Sequence, residues 1–238
     1  MRLNVHERGT GPGTALLIHG GMADHRTWHA VERRLVDRGY RVIAPDLRGH
    51  GRSPRGPYRP ELLADDLVES LPRGADVAVG HSLGGLALSL AAGRLSPRRA
   101  VYSDPAFRPG SLPAGAVAAL RAMVENAGEE SVRKANPRWS KEDVEAELAG
   151  FAAFDLTFMT ATEESFGGGR LPAGPVVPSL VQLADPSLTI DPATAGLLRQ
   201  RGFAVTTVPG TGHCIHRDDL EGFMTSLDGW IRHGSYTI

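Results

Sequence analysis

A serine hydroxyl attacks a carbonyl when a neighbouring base takes its proton and fixed donors hold the oxyanion that forms. Ser82 lies in Gly80-His81-Ser82-Leu83-Gly84, a G-x-S-x-G pattern. Small residues on either side allow the sharp turn that such a serine needs. The pattern is short enough to recur by chance, so its flanks carry the argument. Asp76-Val77-Ala78-Val79 before it reads as a buried strand, and Leu83 to Arg94 after it as a helix. That strand–turn–helix context lifts Ser82 above a sheet at a helix N-terminus, where developing negative charge is favoured. It outweighs the plainer reading of a capping serine in a Gly-rich turn.

The oxyanion needs two backbone N–H donors. One is expected from Leu83, directly after the serine, and the other from the loop after an earlier strand. That loop is His19-Gly20-Gly21-Met22, following Ala15-Leu16-Leu17-Ile18. Gly21 is the expected second donor and Met22 the alternative, since glycine lets backbone approach a substrate closely. Alone, the segment could be an ordinary strand-to-helix turn.

His19-Gly20-Gly21, Asp46-Leu47-Arg48-Gly49-His50-Gly51-Arg52-Ser53, Gly80-His81-Ser82-Leu83-Gly84-Gly85 and Gly210-Thr211-Gly212-His213 occur in this order. Together they resemble the α/β-hydrolase superfamily over nearly the whole chain except a central insert. The resemblance implies the fold and the catalytic machinery, but not the substrate. It makes His213, after the last strand, the base, with His216 as the disfavoured neighbour. It makes the Asp46 to Ser53 stretch a structural loop near the pocket. It also implies that one early strand is missing, because little chain precedes Ala15. A serine at position 82 argues against dehalogenase and epoxide-hydrolase relatives, which need an aspartate there.

A triad also needs a carboxylate between Ser82 and His213 in chain order. Relatives place it after the strand that follows the nucleophile helix, or after the penultimate strand. Asp104, in Val101-Tyr102-Ser103-Asp104-Pro105, fits the first position. Asp185, in Leu183-Ala184-Asp185-Pro186-Ser187, is near the second but out of register. In the usual Gly-x-x-Asp pattern Ala184 takes the glycine position and Ser187 the acid position. Asp104 is favoured, Asp185 is the alternative acid, and Asp191 comes third. For whichever loses, an aspartate before proline is ordinary turn chemistry.

The elements that must position these groups alternate along the chain. Apolar strand-like runs at 15–18, 41–44, 76–79, 99–102, within 175–183 and at 203–208 are separated by helical stretches at 28–38, 61–71, 83–94, 194–201 and 220–232. This predicts a mostly parallel, doubly wound α/β sheet with helices on both faces. From about 105 to 174 the sequence turns helical and polar, with candidate helices at 114–126 and 141–151. The expected organisation is a core of residues 1–104 and 175–238 interrupted by a helical cap, 105–174, with Gly167-Gly168-Gly169 as its exit. Phe107, Trp139, Phe151, Phe154, Phe158 and Phe166 fall there. Most are expected to pack the cap; Trp139 and Phe158, with Met22, are the expected substrate contacts.

The 238 residues carry 26 basic and 27 acidic side chains, a net charge of -1, which gives no electrostatic case for nucleic acid or an anionic membrane. Cys214 is the single cysteine, so no internal disulfide forms. The charged N-terminus lacks a signal peptide's apolar run, and no stretch reaches membrane-spanning length. A cytoplasmic protein is expected, with its oligomeric state left open. No metal is expected: His213-Cys214-Ile215-His216 has no second cluster, and His25 to His29 lacks the glutamate of H-E-x-x-H. No cofactor is expected either, since Gly9-Thr10-Gly11-Pro12-Gly13 precedes a strand and lacks dinucleotide-binding spacing. The expected activity is hydrolysis of a small, fairly apolar carboxylic ester or lactone. The alternatives are carbon–carbon bond hydrolysis, peracid formation, or a slow-turnover ligand sensor on the same fold.

Overall fold

The computed structural model describes residues 1–107, 115–165 and 170–233. Seven strands form one sheet: β1 (Val5–Arg8), β2 (Gly13–Ile18), β3 (Tyr40–Pro45), β4 (Val77–His81), β5 (Ala100–Ser103), β6 (Ser179–Leu183) and β7 (Ala204–Thr207). Their spatial order is β1-β3-β2-β4-β5-β6-β7. β1 runs antiparallel to β3 at one edge, and every other pairing is parallel. The short N-terminal stretch thus holds a strand, Val5–Arg8, that the sequence reading does not assign; its polar Val-His-Glu-Arg lacks the apolar run of a buried strand. The central strands β4, β5 and β6 are buried along their whole lengths, as parallel strands covered on both faces must be.

Among the described residues ten α-helices surround the sheet: α1 (His29–Asp37), α2 (Pro60–Ser70), α3 (Leu83–Leu95), α4 (Ala116–Glu125), α5 (Glu129–Ala135), α6 (Lys141–Ala153), α7 (Thr157–Ser165), α8 (Pro192–Gln200), α9 (Ile215–Asp218) and α10 (Leu220–His233). Strand alternation divides the core in two. Leu16, Ile18, Ala78, Tyr102 and Val181 meet Leu63, Leu67 and Leu86 of α2 and α3 on one face. Ala15, Leu17, Val79, Val101 and Leu180 meet Val31 and Leu35 of α1 and Phe223 and Leu227 of α10 on the other.

Helices α4 to α7 lie between β5 and β6. The sequence pattern anticipates α4 and α6 but not α5 and α7. A reciprocal capping box starts α6: Ser140 Oγ accepts from the Asp143 N–H at 3.1 Å, and the Ser140 N–H donates to Asp143 Oδ2 at 3.0 Å. Phe151 and Phe154 are buried in the same cluster as the first sheet face. Phe107 instead packs on Tyr102 of β5, with ring centroids 5.2 Å apart. Phe166 and Gly167-Gly168-Gly169 lie outside the described residues.

Polar contacts tie these helices to the sheet side. Tyr58 Oη donates to Asp155 Oδ2 at 2.5 Å, His29 Nε2 lies 2.9 Å from Asp143 Oδ1, and Arg217 Nη1 lies 2.8 Å from Glu147 Oε2. Among the described residues no helix is long and apolar enough to cross a membrane.

Candidate active site

Register places the chemistry. Gly80 pairs with Tyr102, His81 with Ser103, and Ser103 with Gln182. The carboxyl ends of β4, β5 and β6 therefore emerge side by side, where open α/β sheets form their binding crevices.

Ser82 forms the turn between β4 and α3 with φ 49° and ψ -114°. This backbone is unfavourable for a side chain, and packing enforces it: a Cβ on Gly84 would overlap the carbonyl oxygens of Ile18 and His19. The Ser82 N–H donates to Ser103 O and its carbonyl accepts from the Ala106 N–H, both at 3.0 Å, which locks the turn against the end of β5. Leu83 is the first residue of α3, so its N–H has no acceptor within the helix. Gly21, Met22, Ser82, Leu83 and His213 all line one cavity of about 340 Å³. Met22 holds φ at 62°, another left-handed residue at this opening.

His213 Nδ1 lies 2.6 Å from Asp104 Oδ2. A carboxylate only accepts, so Nδ1 carries the proton and Nε2 is left as the basic nitrogen. Asp104 is fully buried and has φ 39°. Its Oδ1 accepts from Ser187 Oγ at 2.5 Å and from the Ala184 N–H at 3.3 Å, and its Oδ2 also accepts from the Leu188 N–H at 3.3 Å.

Asp185 is exposed. Its Oδ2 accepts from the Gly210 N–H at 3.2 Å, and its own N–H donates to Thr211 O at 2.9 Å. It braces the loop that carries His213. Asp191 caps α8, accepting from the Thr194 N–H at 2.6 Å. His216 is buried and stacks on Trp28 with centroids 4.2 Å apart. Burial and neighbouring Arg217 push it well below the ordinary histidine range, so it stays neutral.

His81 is a participant the sequence reading passes over. Its Nε2 donates to the His213 carbonyl at 2.9 Å, holding the His213 backbone in place. Burial, reinforced by nearby His213 and His216, pushes His81 far below the ordinary range. Position 81 is a free letter of the serine motif, so no sequence signal singles it out.

The cavity walls beyond the serine are mostly apolar, with Val117, Leu120, Phe154, Phe158 and Met159 from the insert helices and Leu188 from the loop after β6, but the ion-paired Glu147 and Arg217 also line it. Phe158 and Met22 thus take wall positions, but Trp139 does not. Its ring lies beneath the Arg217 guanidinium at 3.7 Å, and its Nε1 donates to Asp218 at 2.9 Å. Trp139 is corrected from a substrate contact to a residue clamping the insert onto α9, because its indole N–H finds the partly buried Asp218 carboxylate there. Cys214 also lines the cavity, and burial pushes its thiol up.

The Asp46 to Ser53 loop is held by its own polar network. Asp46 Oδ1 takes the His25 N–H and Nδ1, and its Oδ2 takes the Arg52 N–H and Asn4 Nδ2. Burial would raise this carboxyl, but those donors override it and hold it low. Asp24, His25 and Asp46 are near enough to share a metal ion. Asp24 is already engaged by the Arg26 guanidinium and N–H, and Asp46 has four donors, so neither offers a spare carboxylate.

A family model described as the alpha/beta hydrolase family matches residues 15–224. Over 87 residues the chain is 42% identical to the 2-(acetamidomethylene)succinate hydrolase of Mesorhizobium japonicum, covering 34% of this chain and 31% of that protein. The chain therefore matches less than half the length of the first curated relatives. A longer match, 27% identical, covers 91% of this chain and 80% of a mouse sn-1-specific diacylglycerol lipase. Among solved structures, the N-formylmaleamic acid deformylase of Pseudomonas putida S16 is 25% identical with TM-score 0.74, covering 94% of this chain and 96% of the other. The enol-lactonase of Burkholderia xenovorans LB400, 24% identical with TM-score 0.74 and 96% coverage of both chains, shares the fold.

Proposed function

This chain belongs to the α/β hydrolase family, and from that membership we propose that it is a serine hydrolase acting on a small, largely apolar carboxylic ester or lactone. The observation that carries this reading is the 2.6 Å contact between His213 Nδ1 and Asp104 Oδ2, made beside a cavity that Ser82 and His213 both line. His213 Nε2 takes the Ser82 proton as Oγ attacks the carbonyl carbon. The N–H groups of Leu83 and of Gly21 or Met22 hold the resulting oxyanion. The tetrahedral intermediate collapses, the ester C–O bond breaks, and the imidazolium returns the proton to the leaving alkoxide. Water then loses a proton to His213 and attacks the acyl-enzyme, releasing the acid and free Ser82. Asp104 holds the Nδ1–H throughout and stabilises the imidazolium.

The substrate class rests on cavity size and lining. About 340 Å³ walled mainly by Val117, Leu120, Phe154, Phe158 and Met159, with the Glu147–Arg217 pair also on its lining, suits a small, largely apolar acyl or alcohol group. An enol-lactonase and a lipase among the similar proteins are compatible with it. Helices α4 to α7 act in this reading as the cap over the site.

The test is fluorophosphonate labelling of the purified protein, together with turnover of short p-nitrophenyl esters. The expected result is labelling at Ser82, with turnover lost by about 10⁶-fold in Ser82→Ala and in His213→Ala. Folded protein that neither labels nor turns over esters would replace this reading with ligand binding without catalysis.

A further inference from the structure

A carboxylate that orients an imidazole must itself be oriented. The terminal torsion of an aspartate side chain is soft, so one bond to His213 does not fix the carboxylate plane. The opposite oxygen needs an anchor as well. Asp104 Oδ1 has two donors, the Ala184 N–H at 3.3 Å and Ser187 Oγ at 2.5 Å. On Oδ2 the Leu188 N–H also stands at 3.3 Å. Both backbone contacts are longer than ordinary N–H···O bonds. Among the described residues Ser187 is therefore the one short donor to Asp104 apart from His213.

The hydroxyl has no alternative use for its hydrogen. Ser187 Oγ accepts from the N–H groups of Thr189 at 3.3 Å and Ile190 at 3.0 Å. With both lone pairs engaged, its O–H points to Asp104. The same loop reaches the substrate side, because Leu188, next in the chain and 75% exposed, lines the cavity.

We propose that Ser187 is a positioning residue for the triad acid: its hydroxyl clamps the rear oxygen of Asp104 so that the front oxygen stays on His213 Nδ1. The proposal rests on the reading of Asp104 as the acid. It gives a role to the position where related chains carry the acid itself. The acid lies after β5, and the serine at the vacated position after β6 holds it from behind.

The test measures kcat and KM on a p-nitrophenyl ester for Ser187→Ala, Ser187→Thr and Asp104→Asn, with thermal melts as a folding check. Removing a hydrogen bond to a charged group implies that Ser187→Ala lowers kcat about 10- to 100-fold. KM stays within about twofold, since the hydroxyl touches the acid and not the substrate. Ser187→Thr, which keeps the hydroxyl, restores kcat. If Ser187→Ala does not fold, Ser187→Cys, of similar size and a weak donor, is read in its place. Full activity in Asp104→Asn would overturn the choice of acid, and this proposal with it. Loss of activity in Asp104→Asn alongside wild-type kcat in Ser187→Ala would overturn the positioning role alone. So would a Ser187→Ala defect confined to KM, or one that threonine fails to restore.

Discussion

Strands β5 and β6 are parallel neighbours, and each is followed closely by an Asp-Pro pair, Asp104-Pro105 and Asp185-Pro186. The same dipeptide meets opposite fates. Asp104 is fully buried against His213, whereas Asp185 is exposed and holds the Gly210 N–H. The offset explains it. Ser103 pairs with Gln182, and the Asp104 N–H donates to Gln182 O, so Asp104 stands level with Leu183 and Asp185 comes two residues further on in its loop. The chain has by then left the sheet, and Ser187 faces the crevice instead. Residue type alone does not bring an aspartate to His213; its height above the sheet edge and the donors waiting there do.

The sharpest way to break this contrast is to neutralise each aspartate in turn. Asp104→Asn should lower kcat by about 10⁴-fold, the scale expected when a triad carboxylate becomes an amide and the imidazole tautomer is lost. Asp185→Asn should stay within about threefold. The reverse ranking in ester turnover would exchange their roles.

A relocation tests whether the two strand ends are equivalent platforms. Asp104→Gly removes the acid and suits the left-handed backbone at φ 39°. Adding Ser187→Asp returns a carboxylate from the other side. The double variant should regain at least about tenfold in kcat over Asp104→Gly, on the scale of a charge-assisted hydrogen bond. No gain in steady-state turnover would mean that only the β5 end can present the acid.

Acid separates the buried chemistry from the exposed end of β6. His81 and His216 beside the pair, and His19 and His50 in the neighbouring loops, are all lowered by burial, His50 to about 3. The unfolded chain binds these protons below about pH 6.5 while the folded chain does not. Stability is therefore present above that pH and is lost as pH falls toward 3. Melting temperature should drop by about 5 °C or more over that window, equivalent to roughly 2 kcal/mol in a chain of this size. A flat profile from pH 7 to 4 would show that these imidazoles are hydrated in solution.

The smallest effect should come from Asp185→Ala. It removes one 3.2 Å bond from an exposed side chain to the Gly210 N–H. About 0.5–1.5 kcal/mol of stability should be lost in a denaturant titration, with kcat nearly unchanged.

Much of this was legible in one dimension. Strand–turn–helix periodicity around Ser82 marks the proposed nucleophile, because a buried parallel strand and the helix after it each leave a distinct apolar pattern. His213 and the Gly20-Gly21 turn are legible through motifs whose glycines answer to backbone geometry. The polar edge strand Val5–Arg8 is not, because it buries too little to need an apolar run. Trp139 is misread because an aromatic in a cap looks the same whether it faces substrate or an arginine. Ser187 is visible as a departure from pattern but not as a partner of Asp104.

The sequence by itself therefore determined the fold class and marked Ser82 and His213 as the proposed nucleophile and base, since local apolar periodicity and glycine-dependent turns encode them within a few residues. Only tertiary structure decided which aspartate meets His213, that Ser187 and His81 support the pair, and which aromatics wall the cavity. Those outcomes depend on strand register and on contacts between residues separated by 80 positions or more, as between Ser187 and Asp104, and no local pattern carries them.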